Sequence, residues 1–197
     1  MNPKIEKLIK MFARLPRVGN RAATRIVLSL LTDKTGRATT LADTLNEVSA
    51  TIHPCPICGV LTDGDTCEFC RDASRNNGTL CVVRDMSDVW IFEKSSVFNG
   101  RYHIIGGVLS GVTGTTPGDL NIQNLPDRIK NENITEIIFA LPNTVEGKTT
   151  ANYIMSVIGE NENVTFTELA SGVPLGGDLD YIDDGTLTLA LTGRKKL

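Results

Sequence analysis

Two close pairs of cysteines, Cys55-Pro-Ile-Cys58 and Cys67-Glu-Phe-Cys70, constrain this chain more than any other feature. A segment of roughly 20 residues buries too little apolar surface to fold alone, so something must staple it. Each Cys-x2-Cys pair can grip one cation through two thiolates, and two such knuckles close a tetrahedral shell. Disulfides are the competing use of the same residues. The N-terminus carries no export-signal pattern, however, and a reducing cytoplasm keeps such thiols free. One structural zinc ion per chain, on Cys55, Cys58, Cys67 and Cys70, is therefore expected, with an iron site on the same thiolates as the alternative. A closed four-sulfur shell leaves no position for water, so the centre is not expected to be catalytic. His53 reads as a helix-end residue, and Cys81, within an apolar strand, as core.

Charge is segregated along the chain. Residues 1–37 hold nine Lys or Arg against Glu6 and Asp33, a net +7, while the remainder carries −10 and the whole −3. A basic module for a polyanion, attached to an acidic body, is the physical reading. Ile5, Leu8, Ile9 and Phe12 mark one face of a helix beginning after Asn2-Pro3. Leu15-Pro16-Arg17-Val18-Gly19 is a tight turn. Asn20 is then expected to cap a second helix that turns Ala22, Ala23, Ile26, Val27 and Leu30 inward. A third helix has Leu41, Leu45, Val48 and Ile52 on one side. The layout is that of a helix-hairpin-helix. Its turn would present backbone N–H groups to a phosphate, and Arg21 and Arg25, one turn apart, would flank it with help from Arg17 and Lys10. Such contacts read the backbone, so sequence-independent DNA binding is expected. An ordinary αα-hairpin is the plainer alternative.

From Leu80 onward, short apolar runs near 80–83, 102–105 and 135–140 alternate with helical stretches near 86–95, 122–132 and 148–158. That rhythm predicts an α/β domain with a largely parallel sheet. The glycine-rich segment 106–118 reads as a mobile loop. Gly147-Lys148-Thr149 invites a P-loop assignment, but Pro142 stands where its first glycine belongs and Glu146 faces the phosphates. Asp178, Asp180, Asp183 and Asp184 could be read as a magnesium site, but they lack a base or nucleophile and read better as a solvated or interfacial loop, and His103 as structural. No apolar run is long enough to span a membrane, so a cytoplasmic protein is expected.

Further motifs complete a pattern: Thr144-Val145-Glu146-Gly147, Thr150-Ala151-Asn152-Tyr153-Ile154, Ala170-Ser171-Gly172-Val173-Pro174-Leu175-Gly176-Gly177 and Leu191-Thr192-Gly193-Arg194. With the hairpin and the cysteines, these resemble the RecR family of bacterial recombination mediators over essentially the whole chain. The resemblance implies a helix-hairpin-helix module at 1–53, a four-cysteine zinc finger at 54–72, a Toprim domain at 79–172 and a C-terminal oligomerisation segment at 173–197. It further implies a non-catalytic role with RecO and RecF in loading RecA onto SSB-coated single-stranded DNA, and assembly into ring-like tetramers. The tail Leu187-Thr-Leu-Ala-Leu alternates like a strand, whereas the resemblance implies a helix.

The chain departs from the family pattern at four positions. Arg17 replaces the usual first glycine of the hairpin, Arg84 stands where a Toprim catalytic site needs Glu, Thr144 replaces the first later acid, and Lys148 another. The family's acidic partner-binding surface maps onto Asp88 and Glu146. Two-metal phosphoryl chemistry needs several converging carboxylates, which this set lacks. A Toprim-type nuclease or primase-like enzyme is the alternative function, and a zinc-stabilised adaptor that never touches DNA is a third.

Overall fold

A computed structural model describes residues 2–159 and 163–194. They divide into a unit ending at His53 and a second beginning at Pro54. In the first, α1 (Pro3–Ala13) starts where expected: the Asn2 side chain accepts the Lys4 N–H at 2.9 Å and Pro3 occupies the first turn. The turn closes through Leu15 N–H to Phe12 O and Val18 N–H to Leu15 O, and Arg17 adopts φ +63°. Helix α2 (Asn20–Thr32) follows, but Gly19, not Asn20, is its cap residue, and no side chain caps it. Ile9, Ala23 and Val27 form the buried core, with Ile5, Leu8, Phe12 and Val18 packed around it. Ala22 and Ile26 are exposed, contrary to the inward orientation their spacing suggests. With only three buried side chains among the described residues of this unit, the apolar stripe of α2 is wider than the core that covers it. Helix α3 (Arg37–Thr51) likewise leaves Leu41, Leu45 and Val48 exposed.

A two-stranded sheet, β1 (His53–Pro54) and β2 (Leu61–Thr62), begins at the unit boundary, and a one-turn helix α4 (Glu68–Arg71) follows. Then come β3 (Thr79–Val83), α5 (Met86–Ser95), β4 (Arg101–Ile104), α6 (Leu125–Asn131), β5 (Glu136–Ala140), α7 (Val145–Ile158), β6 (Thr165–Glu168) and α8 (Asp184–Thr192). The four longer strands form an all-parallel sheet in the order β4-β3-β5-β6. Parallel strands are covered on both faces, and β3 shows it. Leu80 and Val82 enter one core with Ile137, Phe139 and Ile154, while Cys81 and Val83 enter another with Tyr102, Ile104 and three of the paired cysteines. The fold is thus α/β with a helical N-terminus and a small cysteine-bearing segment, as the sequence predicts.

Strand order reverses beside β3: the chain leaves it for β4 on one side and returns to β5 on the other, with Val83 aligned to Ala140. The crevice beyond these two strand ends is where open α/β sheets place ligands. The loop after β4 is tied down rather than loose at two points. The Leu109 N–H donates to the buried Thr150 hydroxyl, and Ser110 bridges Thr115. Gly147, in the first turn of α7, has no room for a side chain, because a Cβ there would overlap the Pro142 carbonyl oxygen. Segment 184–192 is helical, capped by Asp183 accepting the Thr186 N–H at 2.9 Å, so its strand-like alternation misleads. No described helix is long and apolar enough to cross a membrane.

Candidate metal centre and nucleic-acid surface

The sulfur ligands are built by turns. After Cys55 the chain reverses tightly, with Cys55 N–H donating to Val60 O at 2.7 Å and Gly59 N–H to Cys55 O at 2.8 Å. Gly59 takes φ +78°, and a Cβ there would stand 3.0 Å from the Ile104 carbonyl oxygen, so the turn calls for glycine. Cys67 forms the N-terminal cap position of α4 and Cys70 lies within that helix. The four Sγ atoms lie within 4.8 Å of one another, and Cys58 and Cys67 Sγ are 3.3 Å apart. Sulfurs about 2.3 Å from a shared zinc would be separated by just under about 4 Å, so the donor set fits one tetrahedral ion. Cys55, Cys58 and Cys67 are buried and Cys70 is partly exposed. Crowded thiols oppose one another's ionisation: the hydrogen bond with Cys67 holds the Cys58 thiol far above its ordinary range. A divalent cation removes that conflict by binding all four as thiolates. Among the described residues, no other three or more His, Cys, Asp or Glu side chains are grouped to hold a metal. Asp178 and Asp183 act instead as helix caps.

The finger is docked onto the sheet. The Ile104 N–H of edge strand β4 donates to Cys58 O at 2.7 Å, and the Arg101 guanidinium donates to Cys70 O at 3.1 Å. Arg75 lies over the Phe69 ring at 4.9 Å while forking onto Glu93 at 2.7 and 2.9 Å. Glu93 also accepts from the Tyr102 hydroxyl, and burial, followed by that carboxylate, holds the phenol neutral well above its ordinary range. Arg128, from α6, stands 4.0 Å from Cys70 Sγ. Sequence gives no sign of this approach, since Arg128 lies 58 residues beyond that cysteine.

At the crevice after β3, Arg84 turns its charge inward on its own neighbours. Its Nε is 2.8 Å from Asp85 Oδ2 and its Nη2 is 3.5 Å from Asp88 Oδ1. Asp88 Oδ2 also accepts the backbone N–H groups of Arg84 and Asp85, and Asp85 accepts those of Ser87 and Asp88, completing a capping box for α5. The Ser87 hydroxyl, and after it Arg84, hold the Asp85 carboxyl below the usual carboxylate range. Asp88 is therefore occupied as a cap and an ion pair. Beyond β5, Thr144 caps α7 by accepting the Gly147 N–H at 3.2 Å, and Glu146 sits in the first turn. A cap hydroxyl and a guanidinium thus stand after β5 and β3, at the mouth of this crevice.

In the first unit Arg17, Arg21 and Arg25 are exposed. Among the described residues neither Arg21 nor Arg25 has a carboxylate partner, whereas Lys10 pairs with Glu6 at 3.0 Å. The first backbone bond at the start of α2 is Ala23 N–H to Gly19 O at 2.9 Å. No side chain caps this helix start, and Arg21 lies in its first turn. Such a helix start, flanked by cations, can receive a phosphate.

Comparison with known proteins agrees along the chain. Residues 5–49 match the RecR helix-hairpin-helix family, 52–72 the RecR four-cysteine zinc finger domain, 78–170 the Toprim domain and 172–195 the RecR C-terminal family. Recombination protein RecR of Cereibacter sphaeroides is 47% identical over 192 residues, covering 98% of this chain and 96% of that protein. That of Ruegeria pomeroyi is 47% identical over 193 residues, with 98% and 96% covered. That of Rhodospirillum rubrum is 45% identical over 192 residues, with 98% and 97% covered. The zinc-finger match spans all four cysteines, and their sulfurs are placed for one ion.

Proposed function

The chain belongs to the RecR family of recombination proteins, and from that membership we propose that it is a non-catalytic, DNA-binding mediator of recombinational repair. It acts with RecO and RecF to help load RecA onto SSB-coated single-stranded DNA, in the cytoplasm. The observation that carries the DNA reading is the uncapped start of α2 with Arg21 and Arg25 unpaired beside it. Arg17 and Lys10 extend the same basic surface, Lys10 after leaving Glu6.

The make-up of the crevice supports the non-catalytic reading. Arg84 brings a cation to the end of β3, Asp85 and Asp88 are committed to the α5 cap, and Thr144 is a hydroxyl. No cluster of free carboxylates remains there, among the described residues, to hold two magnesium ions. This argues against the Toprim nuclease or primase reading. The partner-binding role of this surface falls more to Glu146 than to the internally paired Asp88. We keep the division 1–53, 54–72, 79–172 and 173–197, with the last segment and the exposed apolar faces of the helical unit serving assembly into a ring-like tetramer. DNA binding and light-scattering mass, measured with and without a RecO-like partner, test this reading. A protein that binds no DNA under either condition would leave it an adaptor.

A further inference from the structure

The charges buried beside the zinc finger do not cancel among themselves. Arg128 on α6 and Arg101 on β4 have side chains only 3% and 11% exposed. They share a single carboxylate, Glu132: Arg128 Nε lies 2.9 Å from its Oε1, and Arg101 Nη1 lies 2.9 Å from its Oε2. Asp72 also acts on Arg101, but it is exposed and screened by water. Two guanidiniums against one carboxylate thus still leave an interior positive charge, which proteins disfavour unless it is compensated.

His103 does not compensate it. Arg128 Nη1 donates to Nδ1 of that fully buried ring at 3.0 Å, so Nε2 carries the hydrogen and donates to Asn121 O at 2.7 Å. The ring is neutral. The Tyr102 carbonyl, 2.7 Å from Nη1, is also neutral. The remaining group facing Arg128 is Cys70, whose Sγ lies 4.0 Å from Nη2, while Arg101 Nη2 holds the carbonyl of the same residue at 3.1 Å. Four thiolates around a divalent cation carry two negative charges in excess.

We infer that Arg128 is a positioning residue for the zinc centre, an outer-sphere charge partner of the Cys70 thiolate, with Arg101 and Glu132 fixing its guanidinium. The inference rests on the four-cysteine zinc reading. Cys70 is the most exposed of the four ligands and so the first that a competing chelator or electrophile reaches. Outer-sphere partners orient ligands and tune how firmly they hold the metal. Because Arg128 belongs to α6 and Arg101 to β4, metal retention is tied to two elements of the α/β domain and not to the finger alone.

The test replaces zinc with cobalt(II), whose sulfur-to-metal absorption reports the electron density on the thiolates, and separately follows zinc passing to a chromogenic chelator. Arg128→Gln should move the absorption band to lower energy and speed zinc release about 10-fold or more. Arg128→Lys, which keeps the charge but loses the planar fork, should fall between it and the parent. Gly147→Ala, which strains α7 without touching the network, should lower the melting temperature and leave band and release unchanged. A folded Arg128→Gln protein with the parental band and release rate overturns the inference. Should that variant not fold, Arg128→Lys is read by the same criterion. If the parent protein holds no stoichiometric zinc, the metal reading falls and this inference with it. If it holds zinc that ignores Arg128, only this inference falls.

Discussion

Arg17 sits in the tightest part of the hairpin with φ +63°, a conformation that costs an ordinary L-residue roughly 1–2 kcal/mol. Glycine escapes that cost but loses more freedom on folding, by roughly 0.5–1 kcal/mol. Arg17→Gly should therefore stabilise the fold by up to about 1 kcal/mol, by chemical denaturation, while weakening DNA binding. A less stable Arg17→Gly protein would show that the side chain contributes more to the fold than the backbone conformation costs it. His103 supplies a second test at this scale. Burial, and then the neighbouring Arg128 charge, push its pKa down to about 4 from 6.5. The folded state holds the ring neutral while the unfolded chain protonates it, so its contribution is complete above pH 6.5 and is lost as pH falls toward 4. The loss is on the order of 3 kcal/mol. His103→Gln should be flatter than the parent across that window, and identical slopes would contradict the assignment.

Among the elements, the cysteine segment is the most legible from sequence, because its ligand spacing alone specifies its geometry. Cys58→Ala should lose the metal and destabilise the protein, with lower soluble yield, and elemental analysis with a melting curve would show it. Strand β6 gives no such signal: Thr165-Phe166-Thr167-Glu168 is short, lies at the sheet edge and is half exposed, so it lacks the apolar run that marks β3 and β5. Asn20 does not cap α2 because Gly19 already supplies the extended backbone that the helix start needs. The tail misleads for a different reason: its Leu-x-Leu-x-Leu alternation belongs to a helix that buries none of those residues. Nothing in the sequence around Gly147 reveals its closeness to Pro142. Gly147→Ala should cost roughly 1–3 kcal/mol by denaturant titration, because a backbone carbonyl must move to admit the methyl group. An unchanged midpoint would mean that the turn yields freely.

For the whole molecule, segregated charge tells more about function than any isolated residue does. The basic stretch, residues 1–37, lies wholly within the first of the two units into which the fold divides. The crevice chemistry is half legible: Arg84 and Thr144 stand out as departures, but the commitment of Asp88 to the α5 cap shows only in three dimensions. The exposed Leu41, Leu45, Val48, Leu175 and Tyr181 are spread over both units, so self-association is expected. A monomer mass near 21.3 kDa at working concentration would contradict that. The central claim is that DNA is held by phosphate contacts at the start of α2. Each such contact releases condensed counterions, so log affinity should fall linearly with log salt. The most direct measurement is that slope for the parent and for Arg21→Ala, Arg25→Ala and the double variant, on several unrelated single-stranded sequences and with a RecO-like partner if binding needs one. Each substitution should weaken binding to every sequence alike and lower the slope by about one contact. A folded double variant with unchanged affinity and slope would place the DNA surface elsewhere and leave the basic hairpin to a protein partner.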